Sequence, residues 1–194
     1  MFKKIFKIFC ALIALSVIGT LAFRFYSLNA YPAFAEGIYA TDTLKDAYAS
    51  SALTAETWMP RAPIEENGDF FIHQPIYFPE QKTLFVTLRY NDSLLREWKH
   101  EGDGADLVLD VSLYADGTER IPASDYVYGH AYGIYSYRRY VFENVDLTEY
   151  TNLYLDVYHG EPDYTVRPYT VEVYDLTAVK SVYTLTSTDK KALQ

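Results

Sequence analysis

The chain has 194 residues, 17 basic against 26 acidic, and 49% hydrophobic residues, enough to exclude a disordered protein and to fill one domain with an attached segment. Lys3, Lys4, Lys7 and Arg24 precede the first acid. From residue 25 onward the balance is therefore 13 basic to 26 acidic, a net charge of −13. Such an acidic domain lacks the clustered Lys and Arg that phosphate neutralisation needs, so nucleic acid is excluded as a partner. Cys10, the one cysteine, lies in the first apolar run, and the rest of the chain has no disulfide or thiolate chemistry.

The opening, "MFKKIFKIFCALIALSVIGTLAFRFYSLNAYPAF", sets three lysines before a charge-free stretch, Ile8 to Phe23. A cleaved signal peptide would use a small-residue site. Ala33-Phe34-Ala35 has that form but lies well beyond the apolar stretch. The preferred reading is an uncleaved signal-anchor over residues 1–26, extended past Arg24 by Phe25 and Tyr26, with Lys7 snorkelling. N-terminal lysines hold that end in the cytoplasm, so the rest is expected outside it, anchored or, alternatively, secreted after cleavage. The membrane is then one partner.

Residues 27–67 read as a lead-in. Within it "TDTLKDAYASSALTAETW" offers Thr43 with Asp46 three residues on, a helix start like a capping box. "MPRAPIEENGD", with two prolines and Asn67-Gly68, breaks it.

Residues 68–178 change to period two. "TLFVTLRYN" alternates Leu84, Val86, Leu88 and Tyr90 against Phe85, Thr87 and Arg89. "DLVLDVSLY" sets Leu107, Leu109, Val111 and Leu113 against Val108, Asp110, Ser112 and Tyr114. "NLYLDVY" and "YTVEVY" repeat the pattern, with Tyr154, Asp156 and Tyr158 on one outward row and Glu172 and Tyr174 on the next. Alternation of this kind is the half-buried strand signature. "SLLREWKHE" is read as a helical turn between strands, and "HEGDGAD" and "HGEPDY" as solvated acidic turns. Strands bounded by turns, without amphipathic helices between them, predict an all-β antiparallel sandwich. Residues 179–194 are read as a C-terminal tail, whose polar end "STDKKALQ" is expected to fray.

"VYGHAYGIYSYRRYVF" is the densest candidate for a surface. Gly129 and Gly133 are read as a loop or bulge, and a strand runs from Ile134 to Glu143. The even face, ending in Tyr140 and Phe142, is expected to be buried. Tyr135, Tyr137 and Arg139 are expected to face outward. Together with Tyr154, Asp156, Tyr158 and Tyr174 they make the candidate contact surface. Tyrosine beside arginine and carboxylate stabilises cross-strand pairs. The same residue types also serve protein interfaces and sugar-stacking faces.

"YADGTE" followed by "YSYRRYVFENVDLTEYTNLYLDVY" resembles the later strands of immunoglobulin-like sandwiches in exported, membrane-anchored proteins of Gram-positive bacteria. The resemblance covers roughly residues 69–178 and implies an immunoglobulin-like antiparallel β-sandwich. The fold expected for the whole is that sandwich preceded by the N-terminal transmembrane helix and the short helical lead-in read above. "DLTEYTNLYLDVY" also looks like a strand of jelly-roll carbohydrate-binding modules.

Chemistry finds little support. His73, His100, His130 and His159 have no metal-ligand spacing, and neither HExxH nor GxSxG occurs. No catalytic residue, metal or cofactor is assigned. The expected role is a non-catalytic interaction or structural module whose partner is an envelope protein or, alternatively, a cell-wall or extracellular glycan.

Overall fold

The computed structural model describes residues 2–29, 38–59, 70–91, 109–115, 120–131, 135–159 and 169–194. The chain divides into two units, Met1–Ala33 and Phe34–Gln194.

The first unit is one helix, α1 (Phe2–Asn29), apolar and exposed around its circumference from Lys3 to Phe25. A helix apolar on every side has no soluble face to present. Lys3–Phe25, 23 residues, is long and apolar enough to cross a membrane.

The second unit begins with α2 (Asp42–Ala49). Its N-cap is Thr41, whose side chain accepts from Leu44 N at 3.4 Å, so the helix starts two residues before the expected cap at Thr43. The strands follow in order: β1 (Glu56–Thr57), β2 (Phe70–Ile72), β3 (Ile76–Phe78), β4 (Thr83–Asn91), β5 (Leu109–Tyr114), β6 (Ile121–Pro122), β7 (Asp125–Ala131), β8 (Tyr135–Phe142), β9 (Asn152–His159), β10 (Tyr169–Asp175) and β11 (Ser181–Val182). A short 3₁₀ turn, Leu147–Glu149, lies between β8 and β9, and α3 (Ser187–Ala192) ends the chain.

These strands form two antiparallel sheets. One has the order β11-β1-β3-β4-β8-β7, with β2 also on β4, and the other is β10-β9-β5-β6. β2 and β3 behave as one bent strand along β4: Ile72 faces Leu88, but Ile76 faces Phe85. Pro75 between them has no N–H to give to the ladder, which is the reason for the break.

The inner faces share a core. Leu84, Val86, Leu88, Tyr90, Tyr140 and Phe142 from the first sheet meet Val111, Leu113, Leu153, Leu155, Val157 and Val171 from the second. The predicted alternation of β4 and β9, that of β5 from Val111 onward, and the buried even face of β8 are thus found, while Leu107 and Val108 lie outside the described residues. A second cluster lies outside the first sheet: Leu44 of α2 and Leu193 join Ile76, Phe78, Phe85 and Val141.

Three expectations are corrected. The loop placed at Gly129–Gly133 is strand as far as Ala131, because β7 pairs with β8 from Asp125↔Val141 to Ala131↔Tyr135. The tail does not fray, since a capping box between Thr186 and Asp189 starts α3 and Leu193 is buried. Tyr174 faces the core rather than outward. The register shifts between Glu172 and Tyr174, so Tyr174 falls opposite Leu153. A bulge of this kind reverses the side a residue faces. The helical turn expected at "SLLREWKHE" and the acidic turns "HEGDGAD" and "HGEPDY" lie essentially outside the described residues.

Candidate functional site

The seven candidate residues divide among three places. On the outward face of the second sheet, Tyr154, Asp156 and Tyr158 of β9 stand between β5 and β10. Asp156 is 1% exposed and Tyr158 5%, whereas Tyr154 is half-buried. The row is tied together internally. Arg120 pairs with Asp156, and Thr170 Oγ1 donates to the other carboxylate oxygen at 2.7 Å. The Arg120 guanidinium lies 4.7 Å from the Tyr114 ring centroid and 5.4 Å from that of Tyr158. Asn152 Nδ2 donates to Tyr154 Oη at 3.2 Å and to Glu172 at 3.0 Å. An arginine faced by aromatic rings with a carboxylate at its edge uses both ways in which a guanidinium binds.

Tyr174 is elsewhere. Its ring packs edge-on against Trp58, with centroids 5.4 Å apart, and Trp58 Nε1 donates to Val173 O at 2.7 Å. A shallow cleft beside them is lined by Met59, Glu172, Asp175 and Thr177. Its acids have partners: Glu172 accepts from Asn152, and Asp175 from Thr177 N and Oγ1.

The third place is the outward face of the first sheet, where β2, β4 and β8 run side by side. Pairing sets two parallel rows across them. Phe71, Arg89 and Tyr137 form one. Thr87 and Arg139 form the next, with His73 N donating to Thr87 O at 2.9 Å. The Arg89 guanidinium is 4.4 Å from the Phe71 centroid and 4.8 Å from the Tyr135 centroid. Arg139 Nε donates to Thr87 Oγ1 at 3.0 Å. Burial, then Arg89 and Arg139, pull the His73 imidazole down to about 4. It is therefore neutral at physiological pH, in a positive local field.

Tyr135, Tyr137 and Arg139 lie on the outward face of the sheet, yet two of them are covered. Tyr137 is 2% exposed and Arg139 7%, and only Tyr135 stays half-buried. A long arginine laid along a sheet covers its neighbours, and β7 continues the sheet beyond β8. Thus Tyr135, Tyr137 and Arg139 come together, Tyr154, Asp156 and Tyr158 come together separately, and Tyr174 joins neither.

Sequence reasoning missed Arg89, Phe71, His73 and Arg120 as members of these clusters. Arg89 carried one signal, as a charged residue on the outward row of a strand otherwise lined by Phe85 and Thr87. Phe71 and His73 carried none, for only pairing on β4 brings them there. Among the described residues no group of three His, Cys, Asp or Glu side chains converges as a metal site would.

Comparison of the chain with protein-family models, with curated proteins and with solved structures finds no match.

Proposed function

We propose that this chain is a membrane-tethered extracytoplasmic β-sandwich of immunoglobulin-like topology, acting as a non-catalytic protein-interaction or structural module at the cell envelope. The strand order supports the topology: β3-β4-β8-β7 over β10-β9-β5-β6 follows the ABED and GFC arrangement, with β6 added beside the third strand. The tether rests on α1 and on its lysines, all near the end that the positive-inside rule keeps in the cytoplasm.

The interaction role, as against sugar binding, is carried by the burial of the rings. A sugar platform needs flat aromatic faces open to solvent. Tyr137, Tyr158 and Tyr174 are at most 5% exposed. Tyr114, Tyr135 and Tyr158 each have an arginine over the ring. What remains at the surface is a mixture of arginine edges and tyrosine rims, the composition that protein interfaces favour.

The test is a paired retention assay on the full chain in detergent micelles. One matrix carries purified cell-wall glycan and the other solubilised envelope proteins. A defined protein retained without glycan binding is the expected result. Retention on glycan, lost in a Tyr135→Ala/Tyr154→Ala variant that still melts cooperatively, would replace the protein partner with a carbohydrate.

A further inference from the structure

We propose that the Arg89 patch on the outward face of the first sheet is a carboxylate-binding site that seats an acidic side chain of a protein partner. This deepens the interaction-module reading and rests on it.

The inference starts from a comparison inside the molecule. The fold builds the same device twice. In the second sheet, Arg120 has the Tyr114 and Tyr158 rings against it and the Asp156 carboxylate bound to its guanidinium. In the first sheet, Arg89 has the Phe71 and Tyr135 rings against it at 4.4 and 4.8 Å. Among the described residues, however, no carboxylate pairs with Arg89, and its Nε is buried without a hydrogen-bond partner. The residue as a whole is half-buried, so the edge a partner meets is that of the terminal N–H groups. A guanidinium donates only in its plane, through five N–H groups that match a carboxylate two at a time. With rings against its π-surface, the group can be satisfied only at its edge. The filled copy at Arg120 shows what this fold sets on such an edge.

The surroundings agree with that chemistry. Arg139 lies on the adjacent row, diagonal to Arg89 across β4 and β8. His73 is held neutral partly by these two arginines, so the patch is locally positive although the domain is acidic. That contrast limits the ligand. An overall acidic domain repels a long polyanion, and its field does not steer acidic chains toward it. Binding energy is therefore available to a ligand that places one or two carboxylates directly on the guanidinium edge. The ring faces that a sugar would stack on are covered by the arginine itself. An acidic side chain on a folded or extended protein segment meets these conditions better than a glycan.

The test uses the full chain in detergent micelles. The probes are a short labelled peptide with two adjacent glutamates in a Gly/Ser context, its diglutamine counterpart, and oligogalacturonate as a carboxylate of sugar origin. The glutamate peptide is expected to bind about tenfold more tightly than the glutamine peptide. Arg89→Gln removes that preference, while Arg89→Lys, which keeps charge but not the planar edge, retains only part of it. A second readout needs no substitution: the Arg89 Nε–H resonance of the wild-type chain shifts on titration with the glutamate peptide.

Equal affinity for both peptides, an unmoved Nε–H resonance, or a preference surviving in a cooperatively melting Arg89→Gln chain would overturn the proposal. Tighter binding of oligogalacturonate than of peptide overturns the protein partner and assigns the site to acidic glycan. The envelope retention assay separates this from the broader reading. A protein retained equally by wild type and Arg89→Gln leaves the interaction module standing and removes this site. No protein retained by either removes the module itself.

Discussion

The hydroxyl of Tyr77, on β3, holds the connection between β8 and β9. It donates to Val145 O at 2.9 Å and accepts from Leu147 N at 3.4 Å. Tyr77 is 4% exposed and Val145 and Leu147 are buried, so neither backbone group has water to replace the lost partner. Tyr77→Phe keeps the ring and removes only the hydroxyl. A loss of about 1–3 kcal/mol is expected, the cost of stranding buried backbone groups. Chemical denaturation of wild type and variant measures it, and a loss near zero would mean that the connection holds itself.

Arg120 and Asp156 lead to a second expectation. The Asp156 side chain is 2% exposed and that of Arg120 22%, so the pair is largely desolvated. Removing one partner leaves the other charge buried and is expected to cost about 3–5 kcal/mol, whereas replacing both by apolar residues costs much less. Asp156→Leu alone should therefore destabilise more than Asp156→Leu combined with Arg120→Met. A double variant whose loss equals the sum of the single ones would show that the two charges are not coupled.

How far the sequence revealed this architecture differs from element to element. β4, β5 and β9, and β10 as far as Glu172, were legible because their alternation is regular, and alternation places side chains on opposite faces. What period two does not show is whether the second face also becomes buried. Phe85 and Val141 are covered by Leu44 and Leu193, from segments at opposite ends of the domain sequence. Arg139 and Asp156 are covered within their own aromatic and polar rows. Tyr174 was misplaced because no residue type marks the register shift after Glu172. The two-residue strands β1 and β11 are too short to show a period. The helix at the chain's end had a readable signal, Thr186 and Asp189 three apart, obscured by the polar residues around it. In the candidate site, Tyr135 and Arg139 were visible as residue types. Arg89 gained its meaning only when β2 delivered Phe71 to one side of it.

Asp189 ties the end of the domain to its beginning. It is fully buried and accepts from Ile38 N at 2.8 Å, Tyr183 Oη at 2.9 Å, Thr186 N at 2.7 Å and Thr186 Oγ1 at 2.8 Å. Asp189→Ala removes a capping box and leaves the Ile38 amide without its partner. The expected loss is about 2–4 kcal/mol, a cap together with buried unmet donors. Amide exchange should quicken at Ile38 as well as in α3. Exchange raised in α3 alone would show that the two ends of the domain are not coupled through this carboxylate.

His73 gives the domain a pH dependence whose sign can be worked out. Its ordinary value of 6.5 falls to about 4, first through burial and then through Arg89 and Arg139. Between these values the unfolded chain binds a proton at this position and the folded chain does not. Stability therefore rises with pH across that window. The contribution is complete above about 6.5 and is lost as pH falls toward 4. Because the imidazole is partly open to solvent, the amount is discounted to about 1–2 kcal/mol. In His73→Gln, a side chain that does not titrate, the stability curve should be flatter over the same window by that amount. Carboxylates elsewhere act alike on both proteins, so the difference between the two curves isolates the imidazole. The His73 ring protons in the wild-type chain should titrate near pH 4 by NMR. A midpoint near 6.5, with superimposable curves for wild type and His73→Gln, would show that neither burial nor the two guanidiniums act on this ring.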